Sequence, residues 1–269
     1  MPHQELVIKG QRIPSVTEWL DVMDKKWLRQ WYAKEELLRC IDELKVFPER
    51  LADPKLASKA LKELLATWRR RVKEKKYASD DKSKAAADIG TEFHTWVEHF
   101  LKGEGYVPQP PELAVKVTPL CGEFTRFHKD WGFVPTVGQE IHVVSKRYVY
   151  QGTFDFLGIN NKFEGLCIAD WKTSNKIDDT YGLQLALYAY AYGEQMGWTP
   201  DETWTKITHG LSVRVDKYTT QLEHKVYDNL PYLFRVASAL REPYDYRNLV
   251  GAWEAEDDRA DTDRRITTD

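Results

Sequence analysis

The chain has 269 residues, of which 42% are hydrophobic and 13% aromatic, which is enough for a folded domain with a full core and excludes a disordered protein. The net charge is −3. Residues 254–269 hold seven acids and three arginines, so this segment carries −4 and the rest of the chain +1. A nucleic-acid binder with that balance has to use local basic patches.

The first ten residues contain no apolar signal stretch, and no later stretch is long and apolar enough to span a membrane. We therefore expect a cytoplasmic protein. The three cysteines, Cys40, Cys121 and Cys167, are odd in number and far apart, which argues against a disulfide framework.

The first predicted elements are a short strand over 5–10, which pairs back through 11–13, and a helix. Ser15-Val-Thr-Glu18 is typical of a capping box, and it predicts a helix that extends past Trp31. Ser15 has two interpretations. It only caps the helix, or Ser15 and Thr17 bind a DNA phosphate together with the first helical amides.

A second helical stretch covers 53–76 and ends in a basic run that includes Arg70 and Lys73. Cations at a helix C-terminus are favourable in solvent and need no ligand. The alternative is contact with a DNA backbone. Both interpretations fit the pattern.

Two long helices and a strand follow. The first helix, 84–102, carries His94, although a lone helical histidine is usually structural. The second helix, 111–131, has an apolar face that predicts packing against a core. The segment 137–146 alternates as a strand does, and Glu140 lies near its start.

The central feature of the sequence is a hairpin. Segments 148–159 and 165–172 are rich in β-branched and aromatic residues, and the turn-like Asn160-Asn161-Lys162 joins them. A symmetric hairpin places Asp155 directly opposite Asp170, with Cβ atoms about 5 Å apart.

Lys172 joins these two acids, because side chains two apart on a strand share a face. Two facing carboxylates repel, and a cation between them removes the repulsion. Mg²⁺ suits the position, since it takes a few carboxylates and leaves room for water and a phosphate. A lysine beside the ion orients water or neutralises charge on phosphorus. The pattern therefore indicates a phosphodiesterase site.

An isolated Asp-x-Lys is usually only a structural pair at a strand end. Here the run 165–169 is small and apolar, which predicts a buried central strand. A buried strand that ends in Asp-Trp-Lys needs a chemical reason for its charges.

The predicted helix over 180–196 places Gln184 and Tyr188 on one face, although its tyrosines also fit an ordinary core. The remaining predicted elements are a second hairpin that extends the sheet, over 206–215 and 218–226, and a covering helix over 228–241.

Four short motifs are spaced along the middle of the chain. They are Gly90-Thr-Glu-Phe-His94, Gly152-Thr-Phe-Asp155, Asp170-Trp-Lys172 and Gln184-Leu-Ala-Leu-Tyr188. In order and spacing they resemble the motifs of RecB-like exonucleases in the PD-(D/E)XK nuclease superfamily. Ile13-Pro-Ser-Val-Thr17 also resembles the N-terminal motif of phage and mitochondrial members. The proline of the superfamily's name is absent, because phenylalanine precedes the first acid.

This resemblance implies roles for individual residues. His94, Asp155 and Asp170 would hold the metal, with the Trp171 carbonyl as a further ligand. Lys172 would act on the attacking water or on the developing charge.

The resemblance extends to substrate contacts and cofactors. Gln184 and Tyr188 would lie beside the metal and hold the substrate strand. Glu140 occupies the place of a further acid in related nucleases, or it is simply exposed at the strand's start. Some relatives carry an iron–sulfur cluster on four cysteines, three of them near the C-terminus. No cysteine follows Cys167 here, so we predict no cluster, with Mg²⁺ as cofactor and Mn²⁺ as a substitute.

The predicted fold class is α/β, with a restriction-endonuclease-like core in which a mixed central β-sheet is flanked by helices. We expect a helical N-terminal region over 1–85 packed on the core, a nuclease core over 86–252 and a charged flexible tail over 253–269.

The predicted function is Mg²⁺-dependent hydrolysis of DNA from a free end, in recombination, repair or replication. A protein of those processes is the expected partner, and the host cytoplasm is the expected location if the gene is phage-encoded. The alternatives are a non-catalytic module that binds DNA ends and an endonuclease, including one that acts on RNA.

Overall fold

The computed structural model of the chain describes residues 7–8, 11–21, 62, 66 and 78–245. The basic run with Arg70 and Lys73 and the tail over 253–269 lie outside these residues. In chain order the elements are β1 (Val7–Ile8), β2 (Gln11–Arg12), α1 (Val16–Leu20), α2 (Ala78–Leu101), α3 (Pro111–Trp131), β3 (Val134–Ser145), β4 (Tyr150–Ile159), β5 (Leu166–Lys172), α4 (Thr180–Gln195), α5 (Pro200–Lys206), β6 (Ile207–Val215), β7 (Leu222–Tyr227) and α6 (Leu230–Ala239).

The chain divides into two units. One is Met1–Met23 with Glu92–Asp269, and the other is Asp24–Thr91, in which 62, 66 and 78–91 are helical. Helix α2 spans residue 85, where the sequence predicts a boundary. The division into 1–85, 86–252 and 253–269 stays a prediction.

The larger unit contains a five-stranded sheet in the order β3-β4-β5-β6-β7. Neighbouring strands are antiparallel except β5 and β6, which are parallel. Parallel neighbours need a crossover connection, and α4 and α5 provide it. The predicted α/β fold, a mixed sheet flanked by helices, is confirmed.

The β4–β5 hairpin has the predicted register. Phe156 pairs with Ala169, so the next position along both strands places Asp155 opposite Asp170. The side-chain oxygen of Asn160 holds the turn, because it accepts two backbone N–H groups at 2.8 and 3.1 Å.

The N-terminal hairpin β1–β2 and the capping box of α1 are also confirmed. Ser15 Oγ accepts the Glu18 N–H at 3.1 Å, and the Glu18 carboxylate accepts the Ser15 N–H at 2.8 Å. Helix α1 ends at Leu20, with Asp21 as its C-cap, so it is shorter than predicted. Trp31 lies outside the described residues.

The segment before α1 lies along β4. The Gln151 N–H donates to the Pro14 carbonyl at 3.1 Å, and the Gln151 side chain donates to the Ile13 carbonyl at 3.2 Å. Strand β3 pairs with the other edge of β4. The N-terminal segment therefore contacts the edge of β4 that does not face β3. Strand β5 pairs with the same edge further along, at residues 156–158.

Helix α4 lies in the core. Every residue from 182 to 193 except Gln184 is buried, as expected of a helix covered on all sides. It packs in one cluster with Phe154 and Ile168 of the sheet and Trp19 of α1. On the other face of the sheet, Trp171 packs against aromatic rings of α3 and β4. The site described below lies between these two layers.

The helices follow the predictions closely. Helix α3 has the predicted bounds, α2 begins six residues earlier and α4 ends one residue earlier. Helix α5 was not predicted, although Thr199 and Glu202 form its capping box and supply a signal in the sequence. Among the described helices, none is long and apolar enough to cross a membrane.

The close approach of β3 and β4 depends on Gly158. An added Cβ there would overlap the Val134 carbonyl oxygen and lie 3.0 Å from Pro135 Cα, and neither backbone atom can turn aside. Gly158→Ala should lower the free energy of unfolding by about 1–3 kcal/mol. Gly122→Ala is the matched control, because nothing lies within 4 Å of an added Cβ there, and it should raise that free energy by up to about 1 kcal/mol. Equal urea midpoints for the two variants would contradict this packing.

Candidate functional site

Three carboxylates lie in one line across β3, β4 and β5. In the β3–β4 ladder Gln139 pairs with Phe156 and Ile141 with Phe154, which places Glu140 opposite Asp155. The β4–β5 register places Asp170 on the other side of Asp155. Facing residues have Cβ atoms about 5 Å apart, where like charges repel. The sequence predicted two members of this row, and the structure adds Glu140, the acid with two open interpretations.

The regular alternation of side chains breaks within this row. Phe154 packs on tyrosines of α4, whereas Phe156 packs on Trp171 at the other face of the sheet. In a regular strand these two phenylalanines would share a face, so β4 changes face at Asp155. Glu140, directly across, has a left-handed backbone with φ 49°. That conformation is uncommon outside glycine, and such strain is concentrated at functional sites.

His94 reaches the row from α2. Its Nδ1 lies 3.4 Å from Asp155 Oδ1. The preceding residue, Phe93, is fully buried and packs edge-on against Phe124 of α3, which anchors this turn of the helix. His94 is therefore placed by helix packing.

Asp155 is the most tightly held of the acids. Its Oδ2 accepts the Trp171 N–H at 2.6 Å, so its carboxylate bridges the two strands where their ladder ends. Burial alone would raise the pKa of Asp155, but His94, Lys172 and this hydrogen bond lower it overall. Burial alone would lower the pKa of His94, and Asp155 raises it overall. Each of the two groups therefore favours the charged form of the other.

Asp170 and Lys172 form a second pair at the end of β5. Lys172 Nζ lies 2.5 Å from Asp170 Oδ2. Burial raises the pKa of Asp170 to about 6, against the opposing effect of Lys172. Burial alone would lower the pKa of Lys172, but Asp170 and Asp155 raise it well above its usual range. The two neighbouring carboxylates therefore favour the charged form of Lys172.

Glu140 is an exposed residue, yet its carboxyl group lies close to ligand atoms of His94 and Asp155. Partial burial raises the pKa of Glu140 to about 7, and the negative charge of Asp155 adds to this shift. At neutral pH this acid is only partly ionised, and a bound cation would favour its charged form.

Three of these side chains fit a divalent cation. His94, Glu140 and Asp155 each offer one ligand atom, and these atoms lie within 4.8 Å of one another. Carboxylate oxygens suit Mg²⁺ and Mn²⁺, and imidazole also binds transition metals. Asp170 is outside this group of three. Its Oδ2 is buried and lies 2.5 Å from Lys172 Nζ, and its role as a metal ligand stays a prediction.

The predicted face of α4 turns toward the acids. Gln184 Nε2 donates to the Tyr188 hydroxyl at 2.9 Å. Burial raises the pKa of Tyr188, and the charge of Asp170 adds to the shift. An added Cβ at Gly152 would overlap the Tyr188 ring, so this glycine of the second motif makes room for the tyrosine. The motif residues 152, 184 and 188 thus meet in one place.

Other predicted site residues are placed differently. The Ser15 hydroxyl caps α1, as the simpler interpretation requires, and Thr17 is exposed. The Trp171 side chain lies in the core, and its carbonyl as a metal ligand stays a prediction. Arg70 and Lys73 lie outside the described residues.

Tyr181 is a site residue that the sequence predictions missed. The Lys172 Nζ lies 5.3 Å from the centre of its ring. Tyr181 precedes Gln184 by three residues, which puts both on the same face of α4. That spacing was the available signal, but an aromatic residue at the start of an apolar helix also fits an ordinary core.

Divalent cations should compete with protons for this site, because a ligating imidazole must be neutral and a carboxylate ionised. His94 has a raised pKa, and those of Glu140 and Asp170 are about 7 and about 6. Affinity for Mn²⁺ should therefore rise between about pH 5.5 and pH 8, with proton release at the lower end. Calorimetric titration in buffers of different ionisation enthalpy measures this release. Glu140→Gln should reduce it, and no proton release by the native protein near pH 6 would contradict the assignment.

Comparison with known proteins agrees with this geometry. No curated protein matches the chain. The family profile of the PD-(D/E)XK nuclease superfamily matches residues 26–253, which is most of the chain and includes the four motifs. Members of this superfamily are divalent-metal-dependent nucleases, which agrees with the row of acids and the neighbouring lysine. The chain therefore belongs to the PD-(D/E)XK nuclease superfamily.

Proposed function

We propose that the chain is a Mg²⁺-dependent DNA exonuclease of the RecB-like type, which hydrolyses phosphodiester bonds from a DNA end. The observation that carries the proposal is the cation of Lys172 next to an acidic group that fits a metal ion. Metal ions and positioned cations stabilise the charge that develops on phosphorus during hydrolysis. A buried Asp–Lys pair with only a structural role would not need the additional acids or His94.

In this proposal His94, Glu140 and Asp155 hold the cation, with Asp170 and the Trp171 carbonyl as further ligands. A cation bound there supplies a more acidic water and positive charge for the phosphate oxygens. The chain's own contribution is to place these ligands, since His94 arrives from α2 and the acids from three neighbouring strands. We propose Mg²⁺ because most of the donors are carboxylate oxygens, and Mn²⁺ as its substitute.

Lys172 neutralises charge on the phosphate or orients the water in this mechanism. The neighbouring carboxylates of Asp170 and Asp155 raise the pKa of Lys172 and so favour the ammonium form that both roles use. Its side chain is 22% exposed, so it is not sealed in the core.

Gln184 and Tyr188 are proposed to hold the substrate strand beside the acids. Their mutual hydrogen bond fixes the tyrosine hydroxyl close to Lys172 and Asp170. Ser15 and Thr17 are proposed contacts to a neighbouring phosphate, and Arg70 and Lys73 are proposed contacts to the DNA backbone.

The preference for DNA ends is supported by the resemblance of the four motifs to RecB-like exonucleases. The same resemblance supports a role in recombination, repair or replication, a protein partner from those processes, and a phage or bacterial source with a cytoplasmic location. The absence of an iron–sulfur cluster is proposed from the cysteine positions.

Replacing Lys172 with Ala should lower the rate of cleavage at least about 100-fold and leave DNA binding largely unchanged, because it removes charge stabilisation at the reacting phosphate. Lys162→Ala is the matched control, since Lys162 pairs with the exposed Asp130 on the hairpin turn and should not affect the rate. The substrates are matched linear and covalently closed circular DNA, single- and double-stranded, with Mg²⁺ or EDTA.

Loss of linear DNA alone, dependent on Mg²⁺ and on Lys172, is the expected result. Cleavage of circles would replace the exonuclease with an endonuclease, and cleavage of RNA alone would change the substrate. Binding of DNA ends without metal-dependent cleavage of any substrate would indicate the non-catalytic module. Full activity of Lys172→Ala would contradict the mechanism.

A further inference from the structure

Lys172 is held from two directions. Its Nζ lies 2.5 Å from Asp170 Oδ2 and 5.3 Å from the centre of the Tyr181 ring. The ring face is an attractive site for an ammonium group, and the attraction grows when the pair is partly shielded from water. Lys172 and Tyr181 are both partly buried. The lysine is therefore placed by an acid on its own strand and by an aromatic ring on α4.

The two contacts have different consequences for the lysine. Asp170 draws the ammonium into the acidic row, and that attraction weakens when a cation occupies the row and compensates the carboxylates. The Tyr181 ring carries no net charge and does not bind a metal ion as a carboxylate does. It continues to attract the ammonium in either state. The ring is thus suited to keep Lys172 in place after metal binding.

The first turn of α4 packs closely against Tyr227 and Leu233, and this packing holds Tyr181 in position. An added Cβ at Gly182 would lie 2.6 Å from two ring carbons of Tyr227 and 3.2 Å from a Leu233 methyl group. Gly182 therefore lets the helix rest directly on the Tyr227 ring. Tyr227 is fixed in turn, because it is buried and pairs with Gly210 across β6 and β7.

We propose that Tyr181 is a positioning residue for Lys172, and that the contact of Gly182 with Tyr227 sets the position of the Tyr181 ring. The proposal rests on the proposed function, since it concerns the lysine that acts on the phosphate. Tyr181 acts through Lys172, so its loss affects the rate of the chemical step and not the binding of DNA.

The first test compares Tyr181→Leu with Tyr181→Phe. Leucine removes the ring and should lower kcat about tenfold with an unchanged KM, whereas phenylalanine retains the ring face and should retain most of kcat. Tyr218→Leu is the matched control, because Tyr218 makes the same kind of contact with Lys217 at 5.7 Å but is 77% exposed. It should not change kcat.

The second test does not depend on activity. With ¹³C-labelled lysine, the ring current of Tyr181 should move the terminal methylene signal of Lys172 upfield in the NMR spectrum, and Lys172→Arg assigns that signal. Tyr181→Phe should retain the shift and Tyr181→Leu should lose it. Gly182→Ala should change it too, because the added methyl group pushes the first turn away from Tyr227, whereas Gly122→Ala should not.

The two readouts separate the proposals. If the native protein cleaves nothing but the shift behaves as described, the proposed function fails and the contact stands. A Tyr181→Leu variant that retains kcat overturns the positioning role. An equal fall in kcat in Tyr181→Leu and Tyr181→Phe also overturns it. If Tyr181→Leu does not fold, Gly182→Ala decides with the same two measurements, and an unchanged shift with unchanged kcat overturns the proposal.

Discussion

The site depends on the register of three neighbouring strands, which places Glu140, Asp155 and Asp170 in one line across the sheet. Three carboxylates at that spacing cannot all stay ionised without compensation. The structure supplies His94 and Lys172 as positive partners, and the pKa values of Glu140 and Asp170 are still raised. Burial is the main cause of these raised pKa values and the charge of Asp155 adds to them, and a divalent cation would favour the ionised form of both acids. The row of acids therefore suits a divalent cation.

The rest of the fold serves to place partners around this row. Helix α4 is buried on nearly every side, and its less buried positions include Tyr181, which lies beside Lys172, and Gln184, which donates to Tyr188. Small residues make that approach feasible, because Gly152 admits the Tyr188 ring. The break in alternation at Asp155 lets one short strand pack against both layers and also direct a carboxylate toward His94.

Local features of the site were predictable from the sequence, whereas long-range ones were not. The register of the β4–β5 hairpin follows from a short connection, and it places Asp155 opposite Asp170. The position of Glu140 depends on the pairing of β3 and on a left-handed residue, which no periodicity reveals. The approach of His94 depends on how α2 packs, and only the resemblance to known nucleases pointed to it. The parallel pairing of β5 with β6 follows from a crossover that includes the unpredicted helix α5.

The central claim is that the row of acids, with His94, is a metal site. Diffraction from crystals soaked in Mn²⁺, measured at a wavelength where manganese scatters anomalously, locates the ion directly. The account predicts one strong anomalous peak within bonding distance of His94, Glu140 and Asp155. It also predicts loss of that peak in a double variant in which Asp155 and Glu140 become Asn and Gln. A peak bound elsewhere, or no peak at Mn²⁺ concentrations that support cleavage, would contradict it.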